Sequence, residues 1–170
     1  MILALVLGGT AGCKPPPTDA DLDREMPQDE PTFASEPLPS PDTEGAIWAP
    51  SAEENRIIYG VPGQPPLLAL ACIEREGRSE ALRITRLAPA DEGASALLAL
   101  IGNGAIGRIE VEATEIGSRT VWQGEIDAAD TRWEPLNGPR QVTATVPGAG
   151  MVTINPSRLP EELLSECRAL

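Results

Sequence analysis

The 170-residue chain contains no histidine, and its only lysine, Lys14, lies near the N-terminus. Without these residues neither a Ser-His nor a Ser-Lys nucleophile can be assembled in residues 46–170. A zinc site would have to use only Asp, Glu and cysteine, so neither a metal nor a cofactor is expected. Aromatics are scarce as well. Phe33, Trp48, Tyr59, Trp122 and Trp133 are the full set, too few and too scattered for a platform that stacks bases or sugars. No apolar run approaches the roughly 20 residues of a membrane-spanning helix. Positive charge is in deficit, with 13 Lys and Arg against 26 Asp and Glu and a net charge of −13. Nucleic acid needs clustered Lys and Arg to neutralise its phosphates, so it is excluded as an expected partner. An anionic lipid headgroup layer would repel such a chain, whereas a basic protein would not.

What is present divides the chain in three. Residues 1–12 are apolar and then small. Residues 13–45 hold eight of the eighteen prolines and nine carboxylates against Lys14 and Arg24, a composition with too little apolar surface to offset its ordering entropy. This stretch is expected to be a disordered, acidic tether, reaching from about 30 Å as a flexible coil to about 100 Å in extended polyproline form. Residues 46–170 carry eleven arginines against seventeen acids and have the length of one domain with a single core.

Within that domain, short apolar or alternating runs are separated by Gly and Pro. Residues 46–49 and 57–59 are the opening apolar runs, and residues 67–73, 82–87, 96–101, 108–113, 120–123, 141–146 and 151–154 read as strands. In residues 82–87, alternation puts Leu82 and Ile84 on one face and Arg83 on the other. Such spacing predicts a mainly β fold, a small antiparallel sandwich or barrel. The chain then changes character: Pro160, Glu161 and Glu162 suit the first turn of a helix, and Leu163, Cys167 and Leu170 recur at helical spacing. A short C-terminal helix with Cys167 facing inward is expected.

Residues 102–107, Gly-Asn-Gly-Ala-Ile-Gly, fit the dinucleotide fingerprint, with Asp127 twenty positions beyond the last glycine. A nucleotide site also needs a helix to begin there. The alternation of Ile106, Ile109 and Val111 with Arg108, Glu110 and Glu112 reads as a strand instead, and Asn103-Gly104 between apolar runs signals a type I′ hairpin. The acidic pairs Glu53-Glu54, Asp91-Glu92 and Glu161-Glu162 fall at expected turns or the helix start and read as solvated surface. Glu125, Asp127 and Asp130 could gather oxygens for calcium but lack the spacing of a calcium-binding loop. No catalytic residue is assigned.

Ala11-Gly12-Cys13 closes the apolar run of residues 1–7 and precedes Pro15-Pro16-Pro17, which ends any regular element. This stretch resembles the export box of bacterial lipoproteins, with Thr10 in the place usually held by Leu. The apolar run has the length of a signal-peptide core. No basic residue precedes it, so the expectation is of a signal truncated at its start. The resemblance implies cleavage before Cys13, lipidation of Cys13 and attachment to a membrane through that lipid. Lys14, rather than Asp, follows the cysteine, which by the family's sorting rule implies the outer membrane, facing the periplasm or exposed at the surface.

With Cys13 committed to lipid, Cys72 and Cys167 remain, and an exported chain with two cysteines invites a disulfide. Two buried free thiols are the alternative. A redox role lacks both a C-x-x-C motif and a histidine to activate a thiolate. The export box, Trp48, Tyr59-Gly60, Leu68-x-Leu70-x-Cys72 and residues 159–167 together resemble small uncharacterised lipoproteins of alphaproteobacteria, a likeness that brings no biochemical activity with it. The functional expectation is a lipid-anchored envelope protein whose non-catalytic domain binds an envelope protein or a basic partner. An inhibitor of a secreted hydrolase such as lysozyme is the alternative, and a carboxylate-dependent hydrolase stands third.

Overall fold

The structure, a computed structural model, describes residues 37–75 and 79–170. Cys13 and the expected signal and export box lie outside the described residues. Among the described residues nine strands run in chain order: β1 (Ile47–Pro50), β2 (Arg56–Gly60), β3 (Leu68–Ile73), β4 (Ala81–Pro89), β5 (Ser95–Gly102), β6 (Ala105–Ile116), β7 (Arg119–Asp127), β8 (Val142–Thr145) and β9 (Met151–Ile154). A 3₁₀ helix, Thr131–Leu136, precedes β8, and helix α1, Leu159–Ala169, ends the chain. All nine strands join one antiparallel sheet in the order β1-β2-β3-β4-β7-β6-β5-β8-β9, curled into a nearly closed barrel.

Period-two alternation decides what fills the barrel. Trp48, Ile57, Tyr59, Leu68, Leu70, Leu82, Ile84, Ile109, Val111, Leu98, Leu100, Val142, Ala144, Val152 and Ile154 are buried in one core, and the strand registers place successive members opposite each other, for example Trp48 with Tyr59, Leu70 with Ile84, and Ile109 with Leu98. The β5–β6 hairpin turns at Asn103 (φ 50°) and Gly104 (φ 83°). Both residues take the left-handed conformation of a type I′ turn, so residues 102–107 form a hairpin.

No ladder joins β1 to β9 among the described residues; side chains span the seam. The Tyr59 hydroxyl donates to the Thr153 carbonyl at 2.9 Å and accepts from the Asn155 N–H at 2.9 Å. The Asn155 amide donates to the carbonyls of Thr43 (3.1 Å) and Ala46 (2.9 Å). Burial raises the Tyr59 phenol above its ordinary pKa, partly offset by the Asn155 N–H. Tyr59→Phe strips two backbone groups of their partner, and the expected cost is about 1–3 kcal/mol. Urea denaturation monitored by circular dichroism reads it; an unchanged midpoint would show that the seam holds without the hydroxyl.

The two ends of the barrel differ. At the end marked by Cys72 and Ala81, α1 packs against β1 to β4 and buries Pro160, Leu163, Leu164 and Cys167. Leu170, expected on the inward stripe, is 68% exposed, and Leu164 takes the inward place. At the other end the chain enters. The Leu38 N–H donates to the Gly148 carbonyl (2.8 Å) and the Met151 N–H donates to the Ser40 hydroxyl (3.0 Å). Residues 38–40, assigned by composition to the tether, thus lie against the β8–β9 turn, and Thr43 is held by Asn155. Hydrogen bonds rather than apolar burial hold this segment, which is why its composition did not show it. At Gly150 (φ 69°) a Cβ would stand 2.5 Å from the Pro39 carbonyl oxygen, so a glycine permits the close approach.

Candidate functional site

The β6–β7 ladder runs only from Ile116/Arg119 to Glu112/Gln123. Beyond that point β7 stays with β4, while β6 stays with β5. The strands still touch where the ladder stops, since a Cβ on Gly124 would lie 2.1 Å from the Glu110 carbonyl oxygen. The 3₁₀ helix packs against β6 and β5. Its Arg132 carbonyl lies so close to Gly107 that a Cβ there would be 1.9 Å away. A shallow groove of about 430 Å³ results on the outside, lined by Glu110, Glu112, Gln123, Glu125 and Arg132 among others.

Three carboxylates reach this groove, and one of them is committed. Glu125 accepts from Arg83 at 2.8 and 3.0 Å and from Arg75 at 3.2 Å. The Arg83 hydrogen bond holds its carboxyl below the usual range, with burial opposing and Arg75 assisting. Glu110 and Glu112, exposed on one face of β6, enter none of the ion pairs among the described residues. The groove is therefore net acidic on its β6 side.

Residues 125–130, which lack the spacing of a calcium-binding loop, hold carboxylates that are bonded within the protein. Each carboxylate there has its own task. Asp127 accepts from the Ser79 hydroxyl and the Ala129 N–H, and the Ser79 bond leads in lowering its pKa. Asp130 caps the 3₁₀ helix by accepting from the Arg132 N–H (2.9 Å) and also pairs with the Arg132 guanidinium (2.7 Å). These bonds, the guanidinium's first, lower the Asp130 carboxyl to about 2. An unfolded Asp titrates near 3.9, so this stabilisation is full above about pH 4 and is lost as pH falls towards 2. Asp130→Asn should flatten the decline in stability between pH 4 and pH 2, read as a smaller shift in thermal midpoint than the parent shows.

The acidic pairs sit as expected from sequence. Glu53-Glu54 lies in the β1–β2 turn, Asp91-Glu92 in the β4–β5 turn, and Glu161-Glu162 in the first turn of α1. Cys72 on β3 and Cys167 on α1 are joined by a disulfide with a Cα–Cα distance of 5.5 Å. All of Trp48, Tyr59, Trp122 and Trp133 are buried. The Trp133 indole donates to the Asp127 carbonyl at 3.1 Å.

One polar residue escaped the sequence reading. Arg86 on β4 is only 4% exposed. Its Nη1 donates to the Leu67 carbonyl (3.1 Å) and its Nη2 to the Ala149 carbonyl (2.8 Å), while Nε has no partner. Burial lowers its pKa below the ordinary guanidinium value. The signal was in the alternation: the rule that turns Leu82 and Ile84 inward turns Arg86 inward too. Against known proteins, no family model, curated protein or solved structure matches the chain.

Proposed function

We propose that residues 37–170 form the non-catalytic binding domain of a lipid-anchored envelope protein, carried on the acidic segment that follows Cys13. The observation that carries the reading is the Cys72–Cys167 disulfide, a bond characteristic of oxidising compartments outside the cytosol. The signal-like run and export box before Cys13 supply the route there. The groove beside Glu110 and Glu112 is the contact surface, because these two carboxylates, which enter no salt bridge among the described residues, complement a basic partner and would speed its association.

The deciding measurement is the intact mass, without reductant, of full-length protein recovered from bacterial membranes. Cleavage before Cys13, added acyl chains and the loss of two hydrogens support the proposal. Retention of residues 1–12 with free thiols overturns it.

The same groove favours a second reading, inhibition of a cationic secreted hydrolase such as lysozyme. Excess protein should then slow lysozyme at low salt, and Glu110→Gln with Glu112→Gln should relieve the effect. Full lysozyme activity in the presence of excess protein removes this reading and leaves the first intact.

A further inference from the structure

Strands β5, β8 and β9 together contain no Asp, Glu, Lys or Arg, in a chain of which 23% of residues are charged. Their outward positions include Leu97, Ala99 and Ile101 on β5, Thr143 and Thr145 on β8, and Met151 and Thr153 on β9. The ladders set these side by side. Ile101 pairs with Thr143 and Thr143 with Thr153, while Ala99 pairs with Thr145 and Thr145 with Met151. Ile106 of β6 extends the first row as the partner of Ile101. Leu97, Ile101, Ile106 and Met151 are 43–55% exposed, so large apolar side chains share one continuous outer face with β5 near its middle.

Both signs of charge border this face. On β6 the ladder places Arg108 beside Ala99 and Glu110 beside Leu97. Both are exposed, and neither enters a salt bridge among the described residues. Glu110 lies near enough to Arg132 to favour its charged form, but it is Asp130 that holds that guanidinium. An uncharged strip with a cation and an anion in register along one side has the self-complementary pattern of a two-fold contact, in which a surface meets its own copy turned through half a revolution. Residues 46–170 carry eleven arginines against seventeen acids, so two copies repel each other in most orientations. They repel least where β5, β8 and β9 present no carboxylate. A basic partner, by contrast, finds its counter-charges in the groove and none on these three strands.

We propose that the outer face of β5 is a contact between two copies of this chain, related by a two-fold axis that crosses β5 at Leu98 and β6 at its ladder partner Ile109. That axis sets Leu97 of each copy against Ala99 of the other and Arg108 of each opposite Glu110 of the other. A barrel surface is convex, so the two copies part on either side of β5, and the long Arg and Glu side chains are suited to bridge that gap. Eight residues of β5 at about 3.3 Å each, across three strands at about 4.8 Å, give a patch of roughly 400 Å² per copy. A standard stable interface takes about 800 Å² from each partner, so this dimer is weak and reversible. Glu110 also lines the groove, and a second copy on β5 therefore competes with a basic partner for it.

The test is sedimentation equilibrium of the purified full-length chain at low ionic strength, from micromolar to millimolar concentration. The parent should form a dimer whose fraction rises with concentration. Arg108→Glu brings carboxylates together at both ends of the contact and Glu110→Arg brings guanidinium groups together, so each variant alone should dimerise about tenfold more weakly or worse. Mixed in equal amounts, the two variants restore both opposite-charge contacts and should recover the parent's association. Both positions are exposed on β6, and circular dichroism checks that each variant keeps the fold. A parent that stays monomeric at millimolar concentration overturns the proposal, whatever else covers the face. A dimer that neither charge reversal weakens, or a mixture no more associated than its components, overturns it as well.

Discussion

Replacing Cys72 and Cys167 together by alanine should lower the unfolding free energy by about 2–5 kcal/mol, the usual range for a native disulfide in a small domain. The bridge spans 95 residues of sequence, long enough for its restriction of the unfolded chain to be large in the chain-entropy account. It also fastens α1, whose eleven residues are too few for a stable isolated helix, to β3. Urea denaturation of the double variant beside the oxidised parent measures the effect. A loss below about 1 kcal/mol would mean that Leu163 and Leu164 hold the helix without the bridge. Peptide mapping of the parent without reductant should recover Cys72 and Cys167 on linked fragments.

Trp133→Ala should cost about 3–5 kcal/mol, as deleting a large buried aromatic does. Trp133 is fully buried, and its indole N–H holds the Asp127 carbonyl at the end of β7. It therefore secures the 3₁₀ helix, which lies against Gly107 of β6, to the strand that β6 has left. Its loss opens a cavity and leaves a carbonyl without a donor. Near-ultraviolet circular dichroism should lose intensity along with stability, because a fixed indole is removed. If Trp133→Ala unfolds within 1 kcal/mol of the parent, the 3₁₀ helix is an ornament of the barrel and not part of its closure.

The positions of the strands were legible because two simple signals agreed along most of the domain. Alternation marked the inward residues, and Gly or Pro marked the gaps. Residues 151–154 match β9 to the residue, while the run at 108–113 is the middle of the longer β6. The Asn103-Gly104 turn was readable because φ > 0 at two successive residues selects those types.

The order of the strands was not legible. The sheet passes from β4 to β7 and from β5 to β8, pairings between segments distant in sequence that no local pattern encodes. The 3₁₀ helix was missed because six residues containing Pro135 show no helical period; Asp130 as a cap was its one available mark. The groove was half readable. Glu110 and Glu112 were placed on one strand face, but the ladder's end at Glu112/Gln123 depends on which strand each partner follows. The Cys72–Cys167 pairing could be expected once Cys13 was set aside, whereas the inward turn of Arg86 was missed although the alternation that turned Leu82 and Ile84 inward implied it.

The placement of the disulfide relative to the entering chain has a mechanical consequence. Tension applied through the residues before Pro37 meets the Leu38–Gly148 and Ser40–Met151 hydrogen bonds first, and then β1 at the free edge of the sheet. Drawn further, the chain can pay out only as far as Cys72, where the covalent bridge diverts the load to Cys167. The groove residues Glu110, Glu112 and Glu125 all lie within the bridged loop. A pull between the N-terminal segment and the residues beyond Cys167 can therefore lengthen the molecule only by unravelling β1, β2 and β3 up to Cys72, while the groove residues stay inside a cross-linked ring.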